Sequence, residues 1–202
     1  MFLSLFSIGQ TTALTLEDEG GIANRFGGIR LAFFSDNFVH PGARLGASII
    51  LTEKEKAKKY LFSRKGKKGS KMKIIQYLLD GNAGYYNHPN NHIGIMGGLG
   101  ITRMATRTRN GFTTSMSLEG NYLNRRYNIP TYEIDGNGEL SEVTGAGNST
   151  MMLSFAPGIG KLVQLNSGKS LHFYGRQHIQ LFNYDFGIFP NAATEIGLSL
   201  SL

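Results

Sequence analysis

The residues able to do chemistry fall into three small groups. His88-Pro89-Asn90-Asn91-His92 sets two imidazoles four residues apart, where both could reach one metal ion if both turned the same way. No third His or carboxylate stands close in sequence, and Pro-Asn-Asn is ordinary turn material; no metal site is assigned. His172, Arg176 and His178 share one alternating face with each other, and Ser117, Glu119 and Ser199 occupy matching positions elsewhere. A histidine, a serine and an acid are the parts of acyl hydrolysis, but the same set also makes a hydrogen-bonded polar interior. The second reading is preferred, and no catalytic residue is assigned. Gly158-Ile159-Gly160-Lys161 and Gly168-Lys169-Ser170 hint at a phosphate loop. Phe155 and Leu162 in the first, and Val163 in the second, stand where that loop needs Gly or Ser/Thr, so both fail and no cofactor is expected.

Charge is concentrated in one place. Residues 53–73 hold ten of the 21 Lys and Arg with only Glu53 and Glu55 against them, whereas the remainder is nearly neutral. The candidate anion-binding side chains in this run are Lys58, Lys59, Arg64, Lys65, Lys67 and Lys68; the plain alternative is a soluble connection whose charge discourages aggregation. A nucleic-acid binder would spread such residues over a folded face beside aromatics, so nucleic acid is not an expected partner. With no Cys, disulfides and thiolate metal sites are excluded. No stretch approaches the roughly 18 apolar residues of a spanning helix. The N-terminal run Met1-Phe2-Leu3-Ser4-Leu5-Phe6-Ser7-Ile8, followed by small residues, reads as a signal-peptide remnant or a tail over 1–20.

The elements that must position these residues are strands. Apolar and polar residues alternate with period two in segments of about ten. Ile196, Leu198 and Leu200 oppose Glu195, Gly197 and Ser199; Leu171, Phe173, Ile179 and Leu181 oppose His172, Tyr174, Arg176, His178 and Gln180. Met116, Leu118 and Tyr122 oppose Ser115, Ser117, Glu119 and Asn121, and Ile75, Tyr77, Leu79 and Tyr85 oppose Gln76, Asp80 and Asn82. Eight strands follow, at about 27–35, 42–53, 73–86, 92–104, 110–125, 148–162, 169–182 and 191–202. Turn residues such as His88-Pro89-Asn90-Asn91 and Phe189-Pro190-Asn191 separate them. A basic connection spans 54–72, and Asp135-Gly136-Asn137-Gly138 marks a long hairpin over 127–147 that prolongs the fifth and sixth strands. One barrel domain is expected over 21–202.

Alternation alone fits a soluble barrel or a membrane barrel with inverted faces. The polar faces favour inversion. They are built from Gly, Ser, Thr, Asn and Gln rather than Lys, and their isolated charges balance: Arg30, Arg44 and Arg176 against Asp80, Glu119 and Glu195. Small residues suit the cramped inside of an eight-strand barrel, and buried ions are tolerated when paired. The fold expected is all-β, an antiparallel up-and-down transmembrane barrel of about eight strands, with these six residues as a structural charge network.

The C-terminal strand Thr194–Leu202, the eight-segment layout and the length resemble the small outer-membrane β-barrel superfamily that includes OmpX and the OmpA transmembrane domain. His40-Pro41-Gly42-Ala43-Arg44-Leu45-Gly46, Gly84-Tyr85-Tyr86-Asn87-His88-Pro89-Asn90-Asn91-His92 and Tyr127-Asn128-Ile129-Pro130-Thr131-Tyr132-Glu133 are similar to stretches of uncharacterised Bacteroidota-type barrels. The terminal Leu202 departs from the Phe with which that superfamily commonly ends. The resemblance implies an outer-membrane location but no activity. The expectation is a non-enzymatic barrel with a structural role, or an accessory subunit of a larger envelope complex, in contact with outer-membrane lipid and lipopolysaccharide. The alternatives are a narrow channel for small solutes and a lipid-modifying barrel enzyme.

Overall fold

The structure is a computed structural model that describes residues 26–36, 40–58, 71–134, 136–143, 145–166, 168–184 and 187–201. Segment 1–20 and the side chains of Lys58, Lys59, Arg64, Lys65, Lys67 and Lys68 lie outside the described residues.

Alternating β-branched, aromatic and small residues produce long strands: β1 (Phe26–Asp36), β2 (His40–Lys58), β3 (Lys71–His88), β4 (His92–Arg107), β5 (Phe112–Tyr127), β6 (Tyr132–Ile134), β7 (Leu140–Glu142), β8 (Gly147–Gln164), β9 (Ser170–Tyr184) and β10 (Gly187–Ser201). Eight of them close into one antiparallel barrel in the order β1-β10-β9-β8-β5-β4-β3-β2, while β6 and β7 pair only with each other. Closure is made by β10 against β1, with Leu31 opposite Leu198 and Phe34 opposite Glu195. A closed sheet leaves no wall strand with an unpaired edge.

The meander gives the barrel two unlike ends. One, here the terminal end, holds the start of β1, the finish of β10 and the connection from β2 to β3. The other, the distal end, holds the short turn from β3 to β4 and the β6–β7 hairpin. The two long connections therefore lie at opposite ends. The basic connection is also shorter than 54–72 suggests, because Lys54 pairs with Ile75 and Lys58 with Lys71, so both strands run on as a ribbon beyond β1. A register shift between Ile50 and Thr52 marks a bulge where this ribbon departs, and bulges bend and twist a strand. Past that bulge Ile75 is buried, not part of the outward stripe with Leu79. Phe189-Pro190-Asn191 is not a turn but the first part of β10: Pro190 faces Leu181 on one side, and β1 pairing begins only at Ala193, so its missing N–H interrupts one ladder at most.

The faces are inverted relative to a soluble barrel. Ile29, Leu31, Phe33, Leu45, Ile101, Leu118, Phe173, Ile179, Ile196 and Leu198 project outward, while Arg30, Arg44, Asp80, Glu119, Arg176 and Glu195 are buried inside. Water would be a poor solvent for such an exterior, and hydrocarbon a good one.

Candidate functional site in the barrel lumen

Lumen side chains stack in layers from the terminal to the distal end. Near the terminal end, Thr113 Oγ1 and His172 Nε2 lie 2.7 Å apart. Next, Arg30 Nη2 pairs with Asp80 Oδ1 at 3.3 Å, and Asp80 also accepts from Thr102, whose hydroxyl lies 2.7 Å from Ser117 Oγ. At mid-height Arg44 reaches across the lumen. Its guanidinium donates to Glu119 on β5 and, at 2.7 Å, to Glu195 on β10, while Nε meets Asn82 Oδ1 at 3.3 Å. Arg176 stands over the Tyr174 ring and 3.9 Å from Glu119. The pairing thus runs across the barrel as well as between neighbouring strands: Asp80 is tied to Arg30, two strands away, not to the adjacent strand's Arg44.

Glycines in the sheet make this layer possible. A Cβ at Gly100 would stand 2.7 Å from Glu119 Cγ, and one at Gly158 2.8 Å from Arg176 Cγ. Long charged side chains lie flat against the wall because their neighbours have none.

One chain of contacts has the order of an acyl-transfer relay. Ser154 Oγ lies 3.0 Å from His178 Nδ1, and His178 Nε2 lies 3.2 Å from Glu195 Oε2. Ser154 and His178 are 0% exposed and Glu195 2%. The serines that the sequence sets on the face of these histidines are Ser117 and Ser199, and the one that meets His178 is Ser154. Ser154 carries the same parity signal on β8, alternating with exposed Met151, Leu153 and Phe155, and could have been found by it.

Above the charged layer sits a second one that the sequence did not disclose. Phe34, Tyr86, Met96, Leu123, Met152, Phe182 and Ala193 form a buried apolar cluster inside the barrel. Gly94 lies beside the Tyr86 ring, where any Cβ would collide with it. Below the apolar layer, a cavity between Arg30, Arg44, Asn82, Tyr174 and Glu195 has a volume of about 10 Å³, room for about one water.

The distal mouth holds the remaining histidines. His40 and His88 stack with ring centroids 3.7 Å apart, and His88 and His92 stand at 5.0 Å. At the opposite end, of the basic ribbon side chains that are described, Lys54 and Lys56 are exposed and Lys73 is half-buried.

A closed antiparallel meander with an apolar exterior and a filled, ion-paired interior defines an eight-stranded β-barrel of the outer-membrane type. Solved structures similar to the chain include the outer membrane enzyme PagL, at 10% identity over 85% of this chain and 96% of that one, with a TM-score of 0.43. The β-domain of the Bordetella autotransporter BrkA is similar at 12% identity over 88% of this chain and 100% of that one, with a TM-score of 0.32. No family model and no curated protein matches the chain.

Proposed function

We propose that the chain is a non-enzymatic outer-membrane barrel of the small OmpX-like kind, with a structural role or as an accessory subunit of a larger envelope complex. The observation that carries this reading is the filled lumen: an ion-paired layer centred on Arg44 lies beneath a layer of seven apolar residues. An ion crossing it would meet a guanidinium already held by two carboxylates and then a layer of apolar side chains, which argues against a channel. Planar-bilayer recording tests it. The purified barrel should give no unitary conductance, and discrete steps that vanish in a variant with a bulkier apolar layer would overturn the proposal.

A lipid-modifying enzyme has one observation in its favour, the Ser154–His178–Glu195 relay. Three features weigh against it. Glu195 is shared with Arg44, Ser154 points away from lipid, and the apolar layer separates the relay from the distal mouth. Ser154→Ala should leave the lipid profile of the host envelope unchanged.

The accessory role draws support from the hairpin. Tyr132, Ile134 and Leu140 sit exposed on one face of β6–β7, beyond the barrel, and offer a partner apolar contact. With both termini in the periplasm, the hairpin faces outward and the basic ribbon inward. The ribbon's anionic partner is then periplasmic, while lipopolysaccharide meets the apolar wall at the distal end. Co-purification from native membranes should bring the complex with the barrel, and its loss on removal of the hairpin would identify the contact.

A further inference from the structure

Three histidines from three neighbouring strands meet at the distal mouth, and the sequence shows only two of them as neighbours. The three-residue turn after β3 makes His88 and His92 direct cross-strand partners. Asn90 adopts φ 60°, a left-handed conformation that Asn tolerates, and Asn91 N–H closes the turn on His88 C=O at 3.2 Å. His40 arrives from β2, and Asp36 from β1 faces His40 across that pair. All four have the parity of the lumen-facing residues on their strands, so they form one row along the rim.

We propose that this row holds a binding site for a divalent late transition-metal ion of the imidazole-preferring class, with His88 and His92 as its two protein ligands and solvent in the remaining positions. Imidazole suits Cu²⁺, Ni²⁺ and Zn²⁺. Metal–nitrogen bonds of about 2.0–2.1 Å put each ring centroid about 3.2 Å from the ion, so two rings on one ion stand about 4.5–5.2 Å apart. The His88–His92 separation of 5.0 Å falls in that range.

The hydrogen bonding leaves a nitrogen free on each ring. Tyr86 Oη lies 3.3 Å from His92 Nε2 and itself accepts from Arg125 Nε at 3.2 Å, which fixes the ring from behind and leaves Nδ1 open. His88 Nδ1 lies 3.3 Å from its neighbour Pro89 C=O, leaving Nε2. His40 Nδ1 is buried without a hydrogen-bond partner, 3.8 Å from Asp36 Oδ2. A hydrogen-bond partner on the other ring nitrogen is the usual arrangement for a metal-binding His. Among the described residues no three donors converge as placed. His40 stacks on His88 and stays outside the pair that binds the ion. The apolar layer closes the floor, so the ion enters from the distal side alone.

The test is titration of CuSO₄ and NiSO₄ into the full chain in detergent, purified without a polyhistidine tag, by calorimetry and by electron paramagnetic resonance of the copper form. Saturable one-to-one binding with at least two nitrogen ligands is expected. His92→Gln and His88→Gln should each weaken it by more than the roughly 10–100-fold that loss of an outer partner alone costs. Copper–ascorbate footprinting of the unmutated protein, which oxidises ligand imidazoles, should mark His88 and His92 and spare His172 and His178. Absence of saturable binding, fewer than two nitrogens, or modification of His172 or His178 instead would overturn the proposal.

Discussion

Arg44 is the side chain on which the lumen network converges, because its one guanidinium faces carboxylates from β5 and β10 at once. Truncating it takes the nearest counter-charge from both buried carboxylates and leaves Glu119 only the longer contact to Arg176, and breaking a buried pair typically costs about 3–5 kcal/mol. Arg176, whose contact with Glu119 is longer at 3.9 Å, should cost less. Leu198→Ala, on the outer face, should cost about 1 kcal/mol or less, since hydrocarbon fills the space it leaves. Unfolding free energies in detergent or bilayer should therefore fall in the order Arg44→Ala, Arg176→Ala, Leu198→Ala from most to least destabilising. Replacing Arg44, Glu119 and Glu195 together by Met, Gln and Gln should recover much of the loss, as neutral replacement of buried ion pairs often does. At this scale the sequence was informative about which residues point inward, because parity is a local property. It was silent on partners: linking Arg44 to Glu119 depends on the barrel's diameter and stagger, and linking His40 to His88 on where β2 begins.

Among the elements, glycine placement separates two kinds of substitution. Gly100 and Gly120 lie on adjacent strands, but a Cβ on the first meets Glu119 Cγ and the Leu118 carbonyl, whereas one on the second meets nothing within 4 Å. Gly100→Ala should destabilise by about 1–3 kcal/mol through overpacking, and Gly120→Ala by a few tenths at most, read by urea titration. The β6–β7 hairpin pairs only with itself, and Gly147 already stands opposite Arg126 at the end of β5. Joining Tyr127 to Ala146 through a two-residue Asn-Gly turn should leave a barrel that still shows heat-modifiable gel mobility, with unfolding free energy changed by no more than about 1 kcal/mol. Loss of the folded barrel would mean that the hairpin is part of its core. The hairpin and most strands were legible from turn residues and period-two alternation. The ribbon beyond the wall was not, because its Lys-rich composition reads as a loop. Nor was the inner apolar layer: Phe34, Tyr86 and Met96 look in sequence like breaks in a polar face, and only the small residues beside them betray that they point inward.

At the scale of the whole molecule, everything rests on which face meets the surroundings. An apolar wall around a charged interior is stable only if hydrocarbon lies outside, whereas a soluble barrel with this sequence would turn Leu198 inward and Ser199 out. The two residues are adjacent on β10, with Leu198 opposite Leu31 and Ser199 opposite Arg30. The chain has no Cys of its own, so Leu198→Cys and Ser199→Cys can each be read without background. In the barrel reconstituted into lipid vesicles, a lipophilic maleimide should label position 198 and leave position 199 unreacted. Labelling at 199 with protection at 198 would reverse the faces, and the account of this chain as an outer-membrane barrel would not survive it.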